Sequence, residues 1–207
     1  MLTLKRSLKI YFLLLTLFVI YRVIFSFYFN DLAFLQENLG DVSYAFFMGW
    51  RYDTMIICYL LAPFLIINLS TFFIRLKIFK KLVSSVSFIY LYLGILFITL
   101  TLIGDLGFFS FFQDHLNILA FGFFEDDTKA LIDTLNQNYP LKTAVIVFAG
   151  FSFCMFVLLK KIFTKTTLSR KNFFKHSIGT LVFIVLFAGG VRGGYSVLVL
   201  SPKYADF

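Results

Sequence analysis

The chain has 207 residues, of which 60% are hydrophobic and 14% are charged, whereas soluble domains are roughly 45–50% apolar and about 25% charged. Phenylalanine supplies 31 residues and proline only 3, which excludes a proline-rich disordered chain. The net charge of +8 does not indicate nucleic-acid binding, because the basic residues lie in short clusters between apolar runs. The composition therefore excludes a soluble enzyme and indicates a membrane protein.

Five apolar runs come close to the length of about 20 residues that a spanning helix needs. The first run is longer than the h-region of a signal peptide, which has about 7–15 residues, so we expect a retained helix. The fourth run begins at Pro140, a residue suited to the first turn of a helix. We predict an all-α polytopic membrane domain with spans at residues 9–29, 53–73, 82–103, 140–159 and 177–191.

Basic and acidic residues alternate from one connection to the next. Most of the 19 lysines and arginines precede the first run or lie between runs two and three or four and five. The 11 acidic residues fall in the other connections or at their edges. Because basic residues concentrate on the cytoplasmic side, we predict a cytoplasmic amino terminus and, with an odd number of spans, an extracytoplasmic carboxyl terminus.

The longest connection, residues 104–139, lies on the predicted outer side and is too apolar for a simple loop. Four polar residues recur at i, i+3, i+4 and i+7, which is one stripe of a helix: Ser110, Gln113, Asp114 and Asn117. We therefore expect an interfacial helix. It either fills space between two spans or turns its polar stripe to lipid head groups or to an attached domain.

An acidic run, Glu125-Asp126-Asp127, precedes a helical pattern. Three consecutive acids on a regular element do not all point at one ion, and the nearest imidazole, His115, is ten residues upstream. The run is therefore better explained as a helix N-cap, favoured by the helix dipole, than as a metal site. The other histidine, His176, is expected at the surface.

Charged groups at the ends of the spans are stronger candidates, because a charge in hydrocarbon is costly and is usually functional. Arg51 and Asp53 open the second span, and Arg22 lies in the outer half of the first. Arg51 and Asp53 point about 200° apart on a helix, so each is expected to contact another helix or a head group. Arg51 either binds a lipid phosphate as a fork, or it snorkels or pairs with Asp31 or Asp41 in the adjoining loop.

These and other polar residues define a candidate rim that either contacts lipid head groups or is structural. We predict no catalytic, cofactor-binding or metal-ligating residue, because the sequence contains no nucleophile–base, zinc-protease or phosphate-loop motif. The candidate rim comprises Arg22, Arg51, Asp53, Asp105, Asp114, His115, Asn117, Glu125, Asp126 and Asp127.

A series of landmarks follows the chain in a recognisable order. Gly49-Trp50-Arg51-Tyr52-Asp53 opens the second span, and the later landmarks are Tyr59 to Pro63, Asp105 with Phe108-Phe109, Asn117, Phe121, residues 125–129, Tyr139-Pro140 and Arg192-Gly193. In this order the sequence resembles the membrane region of proteobacterial lipoteichoic acid synthase-like proteins, over most of the chain.

The resemblance implies a member of the alkaline phosphatase/sulfatase-like superfamily in the bacterial cytoplasmic membrane. Such proteins carry a metal-dependent extracytoplasmic domain after five spans and transfer phosphoglycerol- or phosphoethanolamine-type groups through a threonine intermediate. The nucleophile and metal ligands would lie beyond Phe207, so residues 192–207 are expected to begin a linker. This implies an anchor that presents lipid, with membrane phospholipids and that domain as its partners.

A second hypothesis is a self-contained small membrane protein that binds or transports a ligand. Such a protein needs polar residues that face inward along several spans. The interiors of the predicted spans are almost wholly apolar, which favours the anchor.

Overall fold

The protein is described by a computed structural model that covers residues 2–73, 76–117, 141–164 and 187–192. Within these ranges the regular structure is entirely helical, without a strand. The long elements are α1 (Leu2–Phe29), α2 (Leu32–Glu37), α3 (Leu39–Phe73), α4 (Lys77–Phe112) and α5 (Leu141–Thr164). Residues 187–191 are also helical.

Four of the described helices, α1, α3, α4 and α5, are long and apolar enough to cross a membrane. The stretches that meet this criterion are Leu4–Phe29, Leu39–Asn68, Ile78–Ser110 and Val145–Thr164. The chain is therefore an all-α, multi-pass membrane protein. Of the predicted fifth span, residues 177–191, only the last five lie within the described residues.

The helices extend beyond several of the predicted ends. Helix α3 begins at Leu39 and not at residue 53. Asp53 lies inside this helix, where it is paired with Arg22 and does not mark a boundary. Helix α4 runs to Phe112, past the predicted end at residue 103. A hydropathy pattern locates a span by its apolar residues and therefore misses helical turns that carry polar ones.

The predicted polar stripe beyond the third span is wrong. Ser110 lies in α4, which ends at Phe112, and Gln113 has a φ of 53°, a left-handed conformation that stops a helix. Gln113, Asp114 and Asn117 therefore do not continue a helical face with Ser110. The rest of the predicted interfacial segment, residues 118–139, lies outside the described residues.

Buried side chains form narrow stripes at helical spacing on the long helices. The described residues up to Leu91 and from Lys160 onward form one compact unit, in which the buried apolar residues of α1 and α3 include Ile10, Leu14, Phe18, Ile57, Leu61 and Phe64. Many other large apolar side chains are exposed, such as Ile66 and Ile89. Exposed apolar surface on this scale is expected where lipid is the solvent.

Polar side chains connect neighbouring helices inside each unit. In the first unit, Asn68 Nδ2 donates to Ser87 Oγ at 2.9 Å and Tyr90 OH donates to the Leu60 carbonyl at 3.1 Å. In the second unit, residues 92–159, the Tyr92 and Ser152 hydroxyl oxygens lie 2.5 Å apart. Hydrogen bonds of this kind hold transmembrane helices together where the hydrophobic effect contributes little.

Candidate functional site

An ion pair joins α1 to α3 within their spanning stretches. Arg22 Nη2 donates to both carboxylate oxygens of Asp53, at 3.0 and 2.8 Å, and Asp53 is only 4% exposed. Arg22 Nη1 donates to the Phe46 carbonyl at 3.4 Å, and the guanidinium carbon lies 5.7 Å from the centre of the Phe46 ring. The pair neutralises two charges that would each be costly in hydrocarbon.

Three residues on one face of α3 form the surface that Arg22 contacts. Phe46, Gly49 and Asp53 lie at i, i+3 and i+7, which places them on one helical face. A Cβ added at Gly49 would overlap the guanidinium group of Arg22. Glycine is therefore required here for space, and the ion pair depends on it.

Two further contacts surround the pair in the same unit. The Tyr11 and Thr54 hydroxyl oxygens lie 2.9 Å apart, which connects α1 to α3 next to Asp53. A Cβ added at Gly190 would lie 2.6 Å from Cys58 Sγ and 3.4 Å from Thr54 Cγ2. Residues 187–192 therefore pack against α3 within about one turn of Asp53.

Arg51 lies on a different part of α3 from Asp53, as their spacing requires. It is half-buried, and its Nη1 contacts Met48 Sδ at 3.5 Å. Asp31 and Asp41, the nearby acids considered as partners, are exposed. Of the three charged residues first considered in this rim, the structure brings Arg22 and Asp53 together.

Exposed aromatic residues lie at the same end of α1 and α3. Tyr28, Tyr44 and Trp50 are 73%, 63% and 46% exposed, and Tyr and Trp are enriched at membrane–water boundaries. Tyr28 lies about 9 Å beyond Arg22 along α1, at ~1.5 Å per residue. The ion pair therefore lies slightly to the hydrocarbon side of an aromatic belt.

A second polar cluster closes the end of α4. His115 Nδ1 lies 2.9 Å from Asp105 Oδ2, and the Leu116 backbone N–H donates to Asp105 Oδ1 at 2.7 Å. The left-handed Gln113 turns the chain back so that residues ten apart meet. The side chain of Asp105 is 14% exposed and that of His115 is 64% exposed.

Asp114 completes this cluster with two hydrogen bonds. Its Oδ1 accepts from the His115 backbone N–H at 2.8 Å, and its Oδ2 accepts from Asn117 Nδ2 at 2.7 Å. The hydrogen bond to Asp105 raises the pKa of His115, burial opposes this shift, and the charges of Asp105 and Asp114 add to it. The cluster caps a helix end and favours the imidazolium form.

The acidic run Glu125, Asp126 and Asp127 lies outside the described residues. Among the residues that are described, no three His, Cys, Asp or Glu side chains are grouped as metal ligands. The other seven predicted rim residues, which are described, fall into two places: Arg22, Arg51 and Asp53 on α1 and α3, and Asp105, Asp114, His115 and Asn117 around the end of α4.

Sequence reasoning missed Arg6, which was counted only as part of a basic cluster. Its side chain is 8% exposed, and its Nη2 donates to the Phe163 carbonyl at 2.6 Å. The helical periodicity of α1 could have revealed that Arg6 is buried, because Arg6, Ile10 and Leu14 follow one another at intervals of four residues and so share one helical face. The periodicity therefore extends the buried stripe onto a charged residue.

Comparison of the chain with protein-family models, curated proteins and solved structures found no match. The fold and the polar contacts define a class: a multi-pass α-helical membrane protein with an ion pair buried between two of its spans.

Proposed function

We propose that this chain is the membrane domain of a lipoteichoic acid synthase-like transferase and that it holds a lipid phosphate at the rim of Arg22, Arg51 and Asp53. The observation that carries the proposal is the Arg22–Asp53 ion pair, buried within the spans near one end. The family rests on the order of sequence landmarks around Gly49 to Asp53.

The pair changes the electrostatics that a phosphate meets. Both oxygens of Asp53 accept hydrogen bonds from Arg22, so the carboxylate is neutralised and repels an approaching anion less. Arg51 adds a second guanidinium at the same level of α3, on another face of the helix. A planar guanidinium suits a phosphate group because it donates two parallel hydrogen bonds.

The depth of this rim supports a head group as its ligand. Arg22 lies within about 9 Å of the aromatic belt along α1, and aromatic belts mark the level of lipid head groups. Exposed acids precede the rim at Asp31, Glu37 and Asp41. Because carboxylates complement an ammonium group, a phosphoethanolamine head group suits this end better than a phosphoglycerol one.

The test is photo-crosslinking of the full chain in nanodiscs that contain phosphatidylethanolamine with a diazirine beside the phosphate. We expect adducts to concentrate at residues 44–52, with fewer from the matching phosphatidylglycerol probe. Arg51→Gln should lower them about tenfold, as expected for the loss of a hydrogen bond to a charged group, which is worth about 1.5–3 kcal/mol. Lys81→Gln removes an exposed cation from α4 and serves as the matched control, with an unchanged yield.

Two results would contradict the proposal. An equal yield of adducts in the wild type and in a folded Arg51→Gln variant would remove Arg51 from lipid binding. Metal-dependent turnover of phospholipid by the purified chain would show that it is itself an enzyme and not the membrane anchor of one.

A further inference from the structure

A second buried guanidinium lies close to the opposite end of α1. Arg6 lies about 24 Å from Arg22 along the helix, at ~1.5 Å per residue, so it belongs to a separate place in the fold. It is 8% exposed, and its Nε has no hydrogen-bond partner among the described residues. A buried donor without an acceptor is costly.

Aromatic packing fixes the position of this group. The guanidinium carbon of Arg6 lies 4.6 Å from the centre of the Phe163 ring, a cation–π distance. Phe163 packs edge-on against Phe88, with ring centroids 5.4 Å apart, and against Phe64 at 6.3 Å. The ring is held by two other helices, so the guanidinium is oriented before any ligand arrives.

Part of the positive charge is balanced by the end of α5. Arg6 Nη2 donates to the carbonyl of Phe163, which lies in the last turn of α5. Carbonyls at the carboxyl end of a helix carry a partial negative charge. This partial charge is smaller than the full charge of the guanidinium.

The segments that meet at Arg6 contain no carboxylate in their sequence. The chain has no acidic residue before Asp31, between Asp53 and Asp105, or between Asp133 and Asp206. These intervals include the first turns of α1, the ends of α3 and α4 that pack here, and the end of α5. A counter-ion for Arg6 must therefore come from outside these segments.

Two exposed lysines lie on the helical faces of α1 and α5 that carry Arg6 and Phe163. Lys9 lies three residues after Arg6 on α1, and Lys160 lies three residues before Phe163 on α5. Residues three apart are neighbours on a helix surface. The two lysine side chains therefore extend the positively charged surface from the buried guanidinium toward solvent. The arrangement favours an anion with several oxygens, since a guanidinium and two ammonium groups supply several donors.

We propose that Arg6, Lys9 and Lys160 form a binding site for a phosphate group, carried by an anionic lipid or by a soluble phosphate. The phosphate supplies the counter-charge that the surrounding sequence lacks. Arg6 contributes a fixed fork, and the lysines attract the anion at the surface. Basic sites of this kind between transmembrane helices bind anionic head groups. This proposal is independent of the rim at Arg22 and Arg51.

The test uses the purified full chain in mild detergent. Native mass spectrometry measures retained lipid from an equimolar mixture of phosphatidylglycerol and phosphatidylcholine, and a second arm measures thermal stabilisation by millimolar inorganic phosphate against chloride at equal ionic strength. We expect the wild type to retain phosphatidylglycerol about tenfold more than phosphatidylcholine, and Arg6→Gln to lose most of this preference. The double variant Lys9→Gln/Lys160→Gln should lower it about threefold, as expected for weaker surface charges.

One control variant separates this site from general charge effects. Lys5→Gln removes an exposed cation next to Arg6 on a different helical face. This variant should keep the preference within about twofold of the wild type. If lipid retention is the same in all variants but phosphate stabilises the wild type and not Arg6→Gln, the ligand is a soluble phosphate.

The proposal is overturned if the wild type shows neither a lipid preference nor stabilisation by phosphate. It is also overturned if Arg6→Gln folds and behaves as the wild type in both arms. If Arg6→Gln does not fold, the double lysine variant decides, because its side chains are exposed: unchanged lipid retention and phosphate stabilisation in that variant reject the site.

Discussion

Gly49 is the residue on which the buried ion pair most depends, because any side chain there occupies the space of the Arg22 guanidinium. We expect Gly49→Ala to lower the free energy of unfolding by about 1–3 kcal/mol, the usual cost of overpacking a core. Unfolding in mixed micelles, followed by circular dichroism, measures this change.

Gly40→Ala is the matched control in the same helix, since a Cβ there meets nothing within 4 Å. Alanine forms helices better than glycine by about 1 kcal/mol, so this variant should be equally or slightly more stable. If both alanine variants have the same stability, Gly49 does not serve to accommodate Arg22.

The charged residues of the rim could be predicted from the sequence, and their pairing could not. Arg22, Arg51 and Asp53 stand out because each interrupts or borders an apolar run. The choice of Arg22 as the partner of Asp53 depends on the register between α1 and α3. A single sequence does not contain that register, since it results from the packing of two separate stripes.

At the scale of elements, the His115–Asp105 contact at the end of α4 predicts that the stability of this helix end depends on pH. The pKa of His115 is raised, first by its hydrogen bond to Asp105, so protonation stabilises the folded cluster. This stabilisation is complete below the unfolded value of about 6.5 and is lost as the pH rises through the higher pKa of the folded state. NMR titration of the imidazole signals should give His115 a pKa above the ordinary value.

The control for this titration is Asp105→Asn, which removes the carboxylate but keeps a hydrogen-bonding side chain. We expect the pKa of His115 to fall in this variant. A His115 pKa that is unchanged by Asp105→Asn would show that the two side chains are not paired in solution.

Helix ends were the least predictable elements, for two physical reasons. A charge within a span, such as Asp53, suggests a boundary unless its partner is known. The left-handed backbone of Gln113 ends α4 although glutamine is a good helix former. Local propensity favours continuation there, and the hydrogen bonds of Asp105 and Asp114 favour the turn.

At the scale of the whole molecule, the number of spans decides on which side the carboxyl terminus lies. The predicted fifth span, residues 177–191, would place the two ends of the chain on opposite sides of the membrane. In a background with Cys58→Ala and Cys154→Ala, we expect Lys203→Cys to react with an impermeant maleimide on intact spheroplasts. Lys5→Cys should react only after permeabilisation.

Labelling of both positions under the same condition would contradict the odd number of spans.

The class of protein could be predicted from composition alone, because 60% hydrophobic and 14% charged residues lie far from the averages of soluble domains. The family and its activity could not be tested in that way, since they depend on a few landmark residues and not on the pattern of the whole chain.

The length of α3 has a consequence for its position in a bilayer. Its 35 residues measure about 52 Å at ~1.5 Å per residue, whereas a hydrocarbon core is about 30 Å thick. Even at a tilt of about 40°, the upper end of the usual range, such a helix has roughly nine residues outside the hydrocarbon. The amino end of α3, with Asp41 and Ser43 exposed, is best suited to stand in water. Helix α3 therefore carries its first turns out of the hydrocarbon and into the head-group region or the water beyond it.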